Sequence, residues 1–315
     1  MRARGIRNVS VVGAGLMGHG IAQEFLAAGY PVRLHDVTGE KLAAARENIR
    51  KNILMLSTLG LASPGAAESA PARLTTTTDL GEAVAEADIV IEAAFENLDL
   101  KREIFRSLDA LAPEHAILAS NSSSFMPGLV ASATRRPANV LVAHYFNPPY
   151  LLPLVEIVRH ETTSDETVNT VVALLESLGK TPVIVRREAP GFIGNRLQAA
   201  LFREALSIVE QGIATPADVD TVIKNGFGRR LGAAGVFEIW EIAGWDLVLA
   251  ICENLFPSLE SRTTPAPTLR EMVARGELGV KSERGFYDWT PESISALKAK
   301  IARTLVEIAR AGRAG

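Results

Sequence analysis

The chain has little of what marks a secreted, membrane-spanning or nucleic-acid-binding protein. Its 315 residues include one cysteine, Cys252, so no disulfide can form within the chain. No run of about 18 apolar residues occurs, and the N-terminus enters a strand pattern without the hydrophobic segment of a signal peptide. The formal net charge is −3, and acidic and basic residues are interspersed. We therefore expect a cytoplasmic globular protein that binds neither a membrane nor nucleic acid.

Two kinds of catalytic site also have little support in the sequence. The five histidines are scattered and lack the spacing of metal ligands, so we expect no metal site. The serines at positions 122–124 are not set in the G-x-S-x-G turn that carries a hydrolase nucleophile. These absences disfavour a metalloenzyme and a serine hydrolase.

What the sequence does contain is a glycine-rich turn between two strand patterns near its start. A β-branched run at 9–12 leads into Gly13, Gly15 and Gly18, an apolar-periodic helix follows, and a second strand ends before Asp36. Strand, G-x-G-x-x-G turn, helix, strand and acid in this order are typical of a dinucleotide-binding unit. The alternative is a glycine turn in a βαβ unit that binds no ligand.

Each part of this pattern has a physical role. The first glycine allows a tight turn, the second lets the backbone approach a pyrophosphate, and the third lets helix and strand pack closely. The helix N-terminus offers free N–H groups to the phosphates. Asp36 is expected to accept from the adenosine ribose and to repel a 2′-phosphate, which predicts NAD rather than NADP. The predicted cofactor-binding turn comprises Gly13, Gly15, Leu16, Met17 and Gly18.

The periodicity of the apolar residues changes near residue 190. Before it, strand patterns alternate with helical patterns, which predicts an α/β fold with a doubly wound, mostly parallel Rossmann-type sheet. From Gly191 onward almost every segment has a helical period. We therefore predict an NAD-binding domain at 1–188 and an all-helical C-terminal domain at 189–315. Residues 237–256 are strongly apolar, with few charges on any helical face, which indicates a large core or a subunit interface.

A histidine and a glutamate in this first domain form a candidate proton-transfer pair. His144 leaves the apolar strand at 140–143, and Glu156 lies within the apolar run at 151–158. A buried carboxylate is costly unless it is paired, and a histidine partner would satisfy both groups and stay basic. The alternative for His144 is a bond to a neighbouring carbonyl. Ser123 is a candidate to bind a substrate oxygen, or else an N-cap or turn residue.

Six segments together resemble the L-3-hydroxyacyl-CoA dehydrogenase family, in matching order and spacing over nearly all of residues 5–290. They are GAGLMGHGIA, FENLDLKREIF, SNSSS, HYFNPPYLLPLVE, APGFIGNRLQ and KSERGFYDW. The resemblance implies an NAD-dependent oxidoreductase of fatty acid metabolism with a Rossmann-type domain and a helical domain, at 189–315, that contributes to the substrate site and forms a homodimer. Its reaction is the interconversion of an L-3-hydroxyacyl-CoA and a 3-oxoacyl-CoA.

The resemblance also implies which residues act. The serine, histidine, glutamate and asparagine of the family's active site fall on Ser123, His144, Glu156 and Asn195. His144 would take the hydroxyl proton as hydride leaves for NAD, Glu156 would orient His144, and Ser123 and Asn195 would hold the substrate oxygen. A helix-start cap is the alternative for Asn195. Further cofactor contacts are implied at Glu96, Lys101, Asn147 and Lys281.

Other segments resemble a branch that acts on small free hydroxy acids. NPPYLLPLVE and SSSFMPG are similar to L-gulonate 3-dehydrogenase, of the lambda-crystallin type, and to L-carnitine dehydrogenase. The family's CoA contacts fall near Asn52 and Leu59, and residues 57–71 contain no lysine or arginine for a polyanion. We expect an acyl-CoA substrate, with a small free 3-hydroxy acid as the alternative. A non-catalytic NAD-binding structural protein is a remote alternative, because the four active-site residues are intact.

Overall fold

The computed structural model describes residues 5–62 and 65–314. These residues form two compact units. One contains the chain up to Asn195 together with the chain from Ala302 onward, and the other spans Arg196–Ile301. The predicted domain boundary at 188–189 stays a prediction, and the structure adds that the end of the chain packs with the first unit.

The first unit is built on one eight-stranded sheet. Its strands are β1 Val9–Val12, β2 Val32–His35, β3 Leu74–Thr77, β4 Ile89–Glu92, β5 Ile117–Ser120, β6 Val140–Tyr145, β7 Leu154–Val158 and β8 Thr181–Val185. Their order across the sheet is β3-β2-β1-β4-β5-β6-β7-β8. Neighbouring strands pair in parallel except β6 and β7, which are antiparallel. The strand order reverses between β1 and β4, which is where ligands of such sheets bind.

Helices cover both faces of this sheet. They are α1 Leu16–Ala27, α2 Gly39–Thr58, α3 Ala66–Ser69, α4 Leu80–Val84, α5 Leu98–Leu111, α6 Pro127–Ala131 and α7 Asp165–Ser177, with 3₁₀ turns at Pro71–Arg73 and Pro137–Asn139. Successive strand residues belong to different cores, since Ile89 and Ile91 pack in one cluster and Val90 in another. This alternation follows from the two-residue repeat of a strand. The predicted doubly wound α/β sheet is therefore confirmed.

The second unit is helical, as the sequence predicts. α8 Gly194–Glu210 enters it, and it continues with α9 Pro216–Asn225, α10 Val236–Ala243, α11 Trp245–Leu255, α12 Pro267–Ala274 and the first part of α13 Pro291–Ala314. Shorter 3₁₀ segments lie at Phe227–Gly232 and Phe256–Ser258. The apolar stretch 237–256 is divided by Gly244, whose φ of 85° ends α10. In the part of the chain that the structure describes, no helix has the length and apolarity to cross a membrane.

The last turns of α13 pack on the first unit at the end of α2. Val306 lies in an apolar cluster with Leu56 and Leu61, and Leu59 packs against the same cluster. Arg310 donates from Nε and Nη2 to the carbonyl oxygen of Leu59, at 3.2 and 3.0 Å. The end of α2 is therefore covered by the terminal helix.

Candidate active site

The turn after β1 has the backbone geometry that its three glycines predict. Gly13 has a φ of 103°, and a Cβ on it would lie 2.6 Å from the carbonyl oxygen of Ala93. A Cβ on Gly18 would lie 1.7 Å from the carbonyl oxygen of Gly13. At Gly15 an added Cβ meets nothing within 4 Å. Two glycines are thus needed by the fold itself, and the third faces open space.

The start of α1 fits a bound anion. Its N-cap residue, Gly15, provides no side-chain hydrogen bond, and the first turn contains no acidic residue. The first N–H groups of a helix need partners from outside the helix, and the helix dipole favours a negative charge there. Leu16, in this turn, is 65% exposed although it is apolar. A dinucleotide pyrophosphate is the kind of group that these residues fit.

Asp36 is held beside this turn, directly after β2. Its Oδ2 accepts from the backbone N–H of Ala14 at 2.8 Å, and its Oδ1 accepts from the N–H of Val37 at 2.8 Å. Lys41 Nζ lies 3.3 Å from Oδ1. A carboxylate has about four acceptor positions, so Asp36 can still accept from a ribose hydroxyl.

His144 and Glu156 are brought together by the antiparallel pairing of β6 and β7. They are directly opposite in the strand register. His144 Nδ1 and Glu156 Oε2 are 2.8 Å apart, and both side chains are buried. An ionised carboxylate only accepts, so Nδ1 carries the proton and Nε2 is left as the acceptor. Among the described residues Nε2 has no hydrogen-bond partner, which leaves it available to a substrate hydroxyl.

The second oxygen of Glu156 is fixed by the start of α8. Oε1 accepts from the N–H groups of Ile193 at 2.9 Å and Gly194 at 2.8 Å. Burial alone would raise the pKa of Glu156, but the hydrogen bonds from His144, Gly194 and Ile193 outweigh it and hold the pKa below the ordinary 4.5. Glu156 therefore stays ionised at neutral pH and keeps the imidazole in one tautomer.

Two aromatic rings enclose the imidazole of His144. The ring of Phe146 lies 4.7 Å from it and the ring of Phe192 lies 5.6 Å from it, centroid to centroid. Phe192 has a φ of 51°, in the left-handed region that side chains other than glycine seldom adopt. Non-glycine residues in this region tend to occur at functional sites.

Glu96 organises the three consecutive serines after β5. Its Oε1 accepts from Ser122 Oγ at 2.6 Å, from Ser124 Oγ at 2.7 Å, and from the N–H groups of Ser123 and Ser124 at 3.1 Å. The hydroxyls of Ser122 and Ser124 are therefore occupied, whereas that of Ser123 has no partner among the described residues. Asn195 joins the same loop, because its Nδ2 donates to the carbonyl oxygen of Ser123 at 3.0 Å.

Below this loop lies a buried ion pair that sequence reasoning missed. Lys101 Nζ is 2.7 Å from Glu92 Oε1 and 3.4 Å from Glu96 Oε2, and Lys101 is 1% exposed. Ser120 Oγ donates to Glu92 Oε2 at 2.6 Å. Glu92 ends an apolar strand, which is the same signal that singled out Glu156. The ammonium of Lys101, expected at the cofactor, is already engaged by two carboxylates.

Two further predicted cofactor residues, Asn147 and Lys281, are exposed. Asn147 follows β6 after one intervening residue, Phe146, and its peptide bond to Pro148 is cis. Lys281 is an exposed turn residue of the second unit. Hydrogen bonds thus link Ser123 to Asn195 and His144 to Glu156, while Asn147 and Lys281 take no part in them.

Two family models match this chain. The family model described as 3-hydroxyacyl-CoA dehydrogenase, NAD binding domain, matches residues 8–189. The model for the C-terminal domain of 3-hydroxyacyl-CoA dehydrogenase matches residues 191–289. The chain belongs to the 3-hydroxyacyl-CoA dehydrogenase family. It is therefore an oxidoreductase that acts on a CH–OH group, and its cofactor is NAD.

Members of the 3-hydroxyacyl-CoA dehydrogenase family with different names are similar to this chain. The 5-formyl-3-hydroxy-2-methylpyridine 4-carboxylate 5-dehydrogenase of Mesorhizobium japonicum is 34% identical, covering 97% of this chain and 98% of its own. A crystal structure of an enzyme of that name, described as an NAD⁺-dependent dismutase, has a TM-score of 0.91. The probable 3-hydroxybutyryl-CoA dehydrogenase of Bacillus subtilis is 40% identical, covering 90% of this chain and 98% of its own. The crystal structure of the (S)-3-hydroxybutyryl-CoA dehydrogenase PaaH1 of Ralstonia eutropha is 35% identical, with a TM-score of 0.75. The match covers 90% of this chain and 99% of the PaaH1 chain.

Proposed function

We propose that this dehydrogenase oxidises a secondary alcohol with His144 as the general base. The observation that carries the proposal is the 2.8 Å contact between His144 Nδ1 and Glu156 Oε2. Glu156 fixes the tautomer, so Nε2 accepts the hydroxyl proton and the resulting imidazolium is stabilised by the carboxylate. NAD supplies the hydride acceptor when it is bound.

Ser123 and Asn195 complete the proposed catalytic group. Ser123 is the serine of its loop with an unengaged hydroxyl, and it is proposed to donate to the substrate oxygen. Asn195 holds the Ser123 backbone through its amide at 3.0 Å. The proposed cofactor site comprises the turn residues Gly13, Gly15, Leu16, Met17 and Gly18 with Asp36, and, on the resemblance alone, Glu96, Lys101, Asn147 and Lys281.

The first substrate candidate is an L-3-hydroxyacyl-CoA of the 3-hydroxybutyryl type. It is supported by the family and by the 40% identity to the Bacillus subtilis relative. The product is the corresponding 3-oxoacyl-CoA. The chemistry of the His144–Glu156 pair suits this alcohol, but it does not depend on the thioester.

The second candidate is a small free carboxylate that carries the reacting hydroxyl, and the terminal helix favours it. The family models end at residue 289, and the relatives named for 3-hydroxybutyryl-CoA cover 90% of this chain. The match to the pyridine carboxylate dehydrogenase covers 97% of this chain. In this chain the end of α13 covers Leu59 and the end of α2, where the resemblance implies CoA contacts. Residues 57–71 also offer no cation to a polyanion.

A substrate panel separates the two candidates. NADH formation is followed with L-3-hydroxybutyryl-CoA, free L-3-hydroxybutyrate, L-gulonate, L-carnitine and a formyl-substituted pyridine carboxylate, whose hydrated aldehyde supplies the CH–OH group. Val306→Asp is added to loosen the terminal helix, and it should admit the CoA thioester if that helix excludes it. If the unaltered protein turns over the CoA thioester and none of the free carboxylates, the second substrate candidate is rejected. Absence of NADH formation with every alcohol would reject the dehydrogenase assignment for these substrate classes.

The homodimer and the cytoplasmic location are also proposals. The second unit exposes large apolar side chains, with Phe237 77% exposed, Phe256 64% and Ile242 87%. Apolar surface of this kind is typical of an interaction site, and a second copy of the chain is the proposed occupant. A monomeric mass by light scattering would contradict this. The single cysteine fits a reducing compartment.

A further inference from the structure

Lys41 contacts residues that follow two different strands, on either side of the glycine turn after β1. It lies in the first turn of α2, after β2, and its Nζ is 3.3 Å from Asp36 Oδ1. The same Nζ lies 5.4 Å from the ring centroid of Phe95, which follows β4. The strand between β2 and β4 is β1, so this contact crosses the end of β1 and the glycine turn. Lys41 therefore lies at the adenosine end of the proposed cofactor site.

The charge of Asp36 is partly balanced at this position. A carboxylate after β2 disfavours NADP because it repels a 2′-phosphate on the adenosine ribose. Lys41 places a cation beside that carboxylate, and the Lys41 side chain is 46% exposed, so it can move toward a ligand. Because the two charges are 3.3 Å apart, an anion placed close to Asp36 would be repelled by the aspartate and attracted by the lysine.

Phe95 gives Lys41 a second anchor. The ring is 75% exposed, which is unusual for a large apolar side chain next to a ligand cleft. A cation over an aromatic face is attracted by the ring. Lys41 therefore has two partners, Asp36 after β2 and Phe95 after β4, while its side chain stays partly exposed.

We propose that Lys41 sets the margin by which this enzyme prefers NAD over NADP. The inference rests on the proposed placement of the adenosine ribose at Asp36. Lys41 lowers the repulsion that Asp36 exerts on a 2′-phosphate, so the protein discriminates between the two cofactors less than Asp36 alone would require. NAD has no 2′-phosphate, so its affinity depends little on Lys41.

The test measures binding of NADH and NADPH by titration calorimetry to the full chain without substrate. Lys41→Met should weaken NADPH binding by about three- to tenfold, since one partly exposed charge contact is lost. The dissociation constant of NADH should change by less than about twofold. Lys41→Glu should weaken NADPH further, by about tenfold or more. Lys41→Arg, which keeps the charge, should stay close to the unaltered protein. High salt should reduce these differences because the contact is exposed.

Two matched variants show which part of the argument fails, if one does. Lys51→Met removes the same charge from an exposed position on α2, and the ratio of the two dissociation constants should not move. Asp36→Ser should bring the NADPH affinity toward that of NADH. If Asp36→Ser leaves the ratio unchanged in a folded protein, the ribose placement is wrong. If Asp36→Ser shifts the ratio and the Lys41 variants do not, only the role of Lys41 is wrong. Equal weakening of both cofactors by Lys41→Met would likewise overturn it and indicate a pyrophosphate contact.

Discussion

His144 on β6 and Glu156 on β7 are directly opposite one another because those two strands run antiparallel. Every other neighbouring pair in the sheet is parallel. In this antiparallel pair, a histidine near the end of β6 lies opposite a glutamate within β7, with Nδ1 and Oε2 2.8 Å apart. The carboxylate then receives two backbone N–H groups on its other oxygen. The proton position on the imidazole is thus determined by the sheet and by the start of α8.

Replacing His144 should stop the chemistry and leave cofactor binding intact. We expect His144→Gln to lower turnover by about 10²- to 10⁴-fold, since general-base catalysis contributes about that much. The glutamine amide can still donate to Glu156, so the pair of strands should remain folded. NADH formation and NADH affinity are measured side by side. His115→Gln is the control, because His115 is an exposed histidine that pairs with Asp88 outside the site. Unchanged turnover in His144→Gln would reject His144 as the base.

Glu156 should make the stability of the protein depend on acid pH. Its pKa is below the ordinary 4.5, because the hydrogen bonds to its carboxylate outweigh the cost of burial. Because the folded-state pKa is below the unfolded value, the ionised carboxylate stabilises the fold fully above about pH 4.5. This stability is lost as the pH falls through the folded-state pKa. Glu156→Gln should therefore cost about 1.5–3 kcal/mol of unfolding free energy at neutral pH, as for hydrogen bonds to a charged group. The difference from the unaltered protein should shrink on acidification. Urea unfolding at a series of pH values measures it, and a constant difference would contradict the assignment.

A methyl group at Gly15 should separate cofactor binding from folding. An added Cβ there meets nothing within 4 Å, so the protein should stay folded without cofactor, with only the small loss expected of alanine at a helix N-cap. If the pyrophosphate approaches the backbone at this glycine, Gly15→Ala should weaken NADH binding by about tenfold or more. Gly39→Ala is the matched control, because Gly39 also faces open space but begins α2. Equal NADH affinity in both variants would place the cofactor elsewhere.

The glycine turn and the His144–Glu156 pair could be predicted because each follows from a local rule. Dense contacts around Gly13 and Gly18 require glycine, and a glutamate within an apolar strand requires a partner. The sheet class was predictable from alternation of strand and helix patterns. β3 was not predicted, because its three threonines lack the apolar run on which strand prediction relies.

Features that depend on distant parts of the chain could not be predicted. Lys101 lies on an amphipathic helix, where a lysine is usually solvated, and only the folded structure brings it under Glu92 and Glu96. The contact between Arg310 and Leu59 joins positions 251 residues apart. No local periodicity indicates which surface a terminal helix will cover. The sequence also left open which of the three serines acts, and the bonds made by Glu96 now favour Ser123.

The buried pair of Lys101 and Glu92 should behave as a structural element of the serine loop. Both side chains are at most 1% exposed, so removing the ammonium leaves Glu92 as an uncompensated buried carboxylate. Lys101→Met should therefore cost about 3–5 kcal/mol of unfolding free energy, as broken buried pairs do. Urea unfolding measures this, and Lys51→Met, at an exposed position, should cost less than about 1 kcal/mol.

The double variant decides whether the charge or the side-chain packing is responsible. Glu92→Gln with Lys101→Met removes both charges, and Ser120 can still donate to the new amide oxygen. Replacing a buried ion pair by neutral groups is often close to neutral for stability, so this double variant should be more stable than Lys101→Met alone. If the double variant is no more stable than Lys101→Met, the unpaired carboxylate of Glu92 is not what destabilises that variant, and the loss comes from replacing the lysine chain. In that case Glu96 and the serine loop should not depend on the ion pair below them.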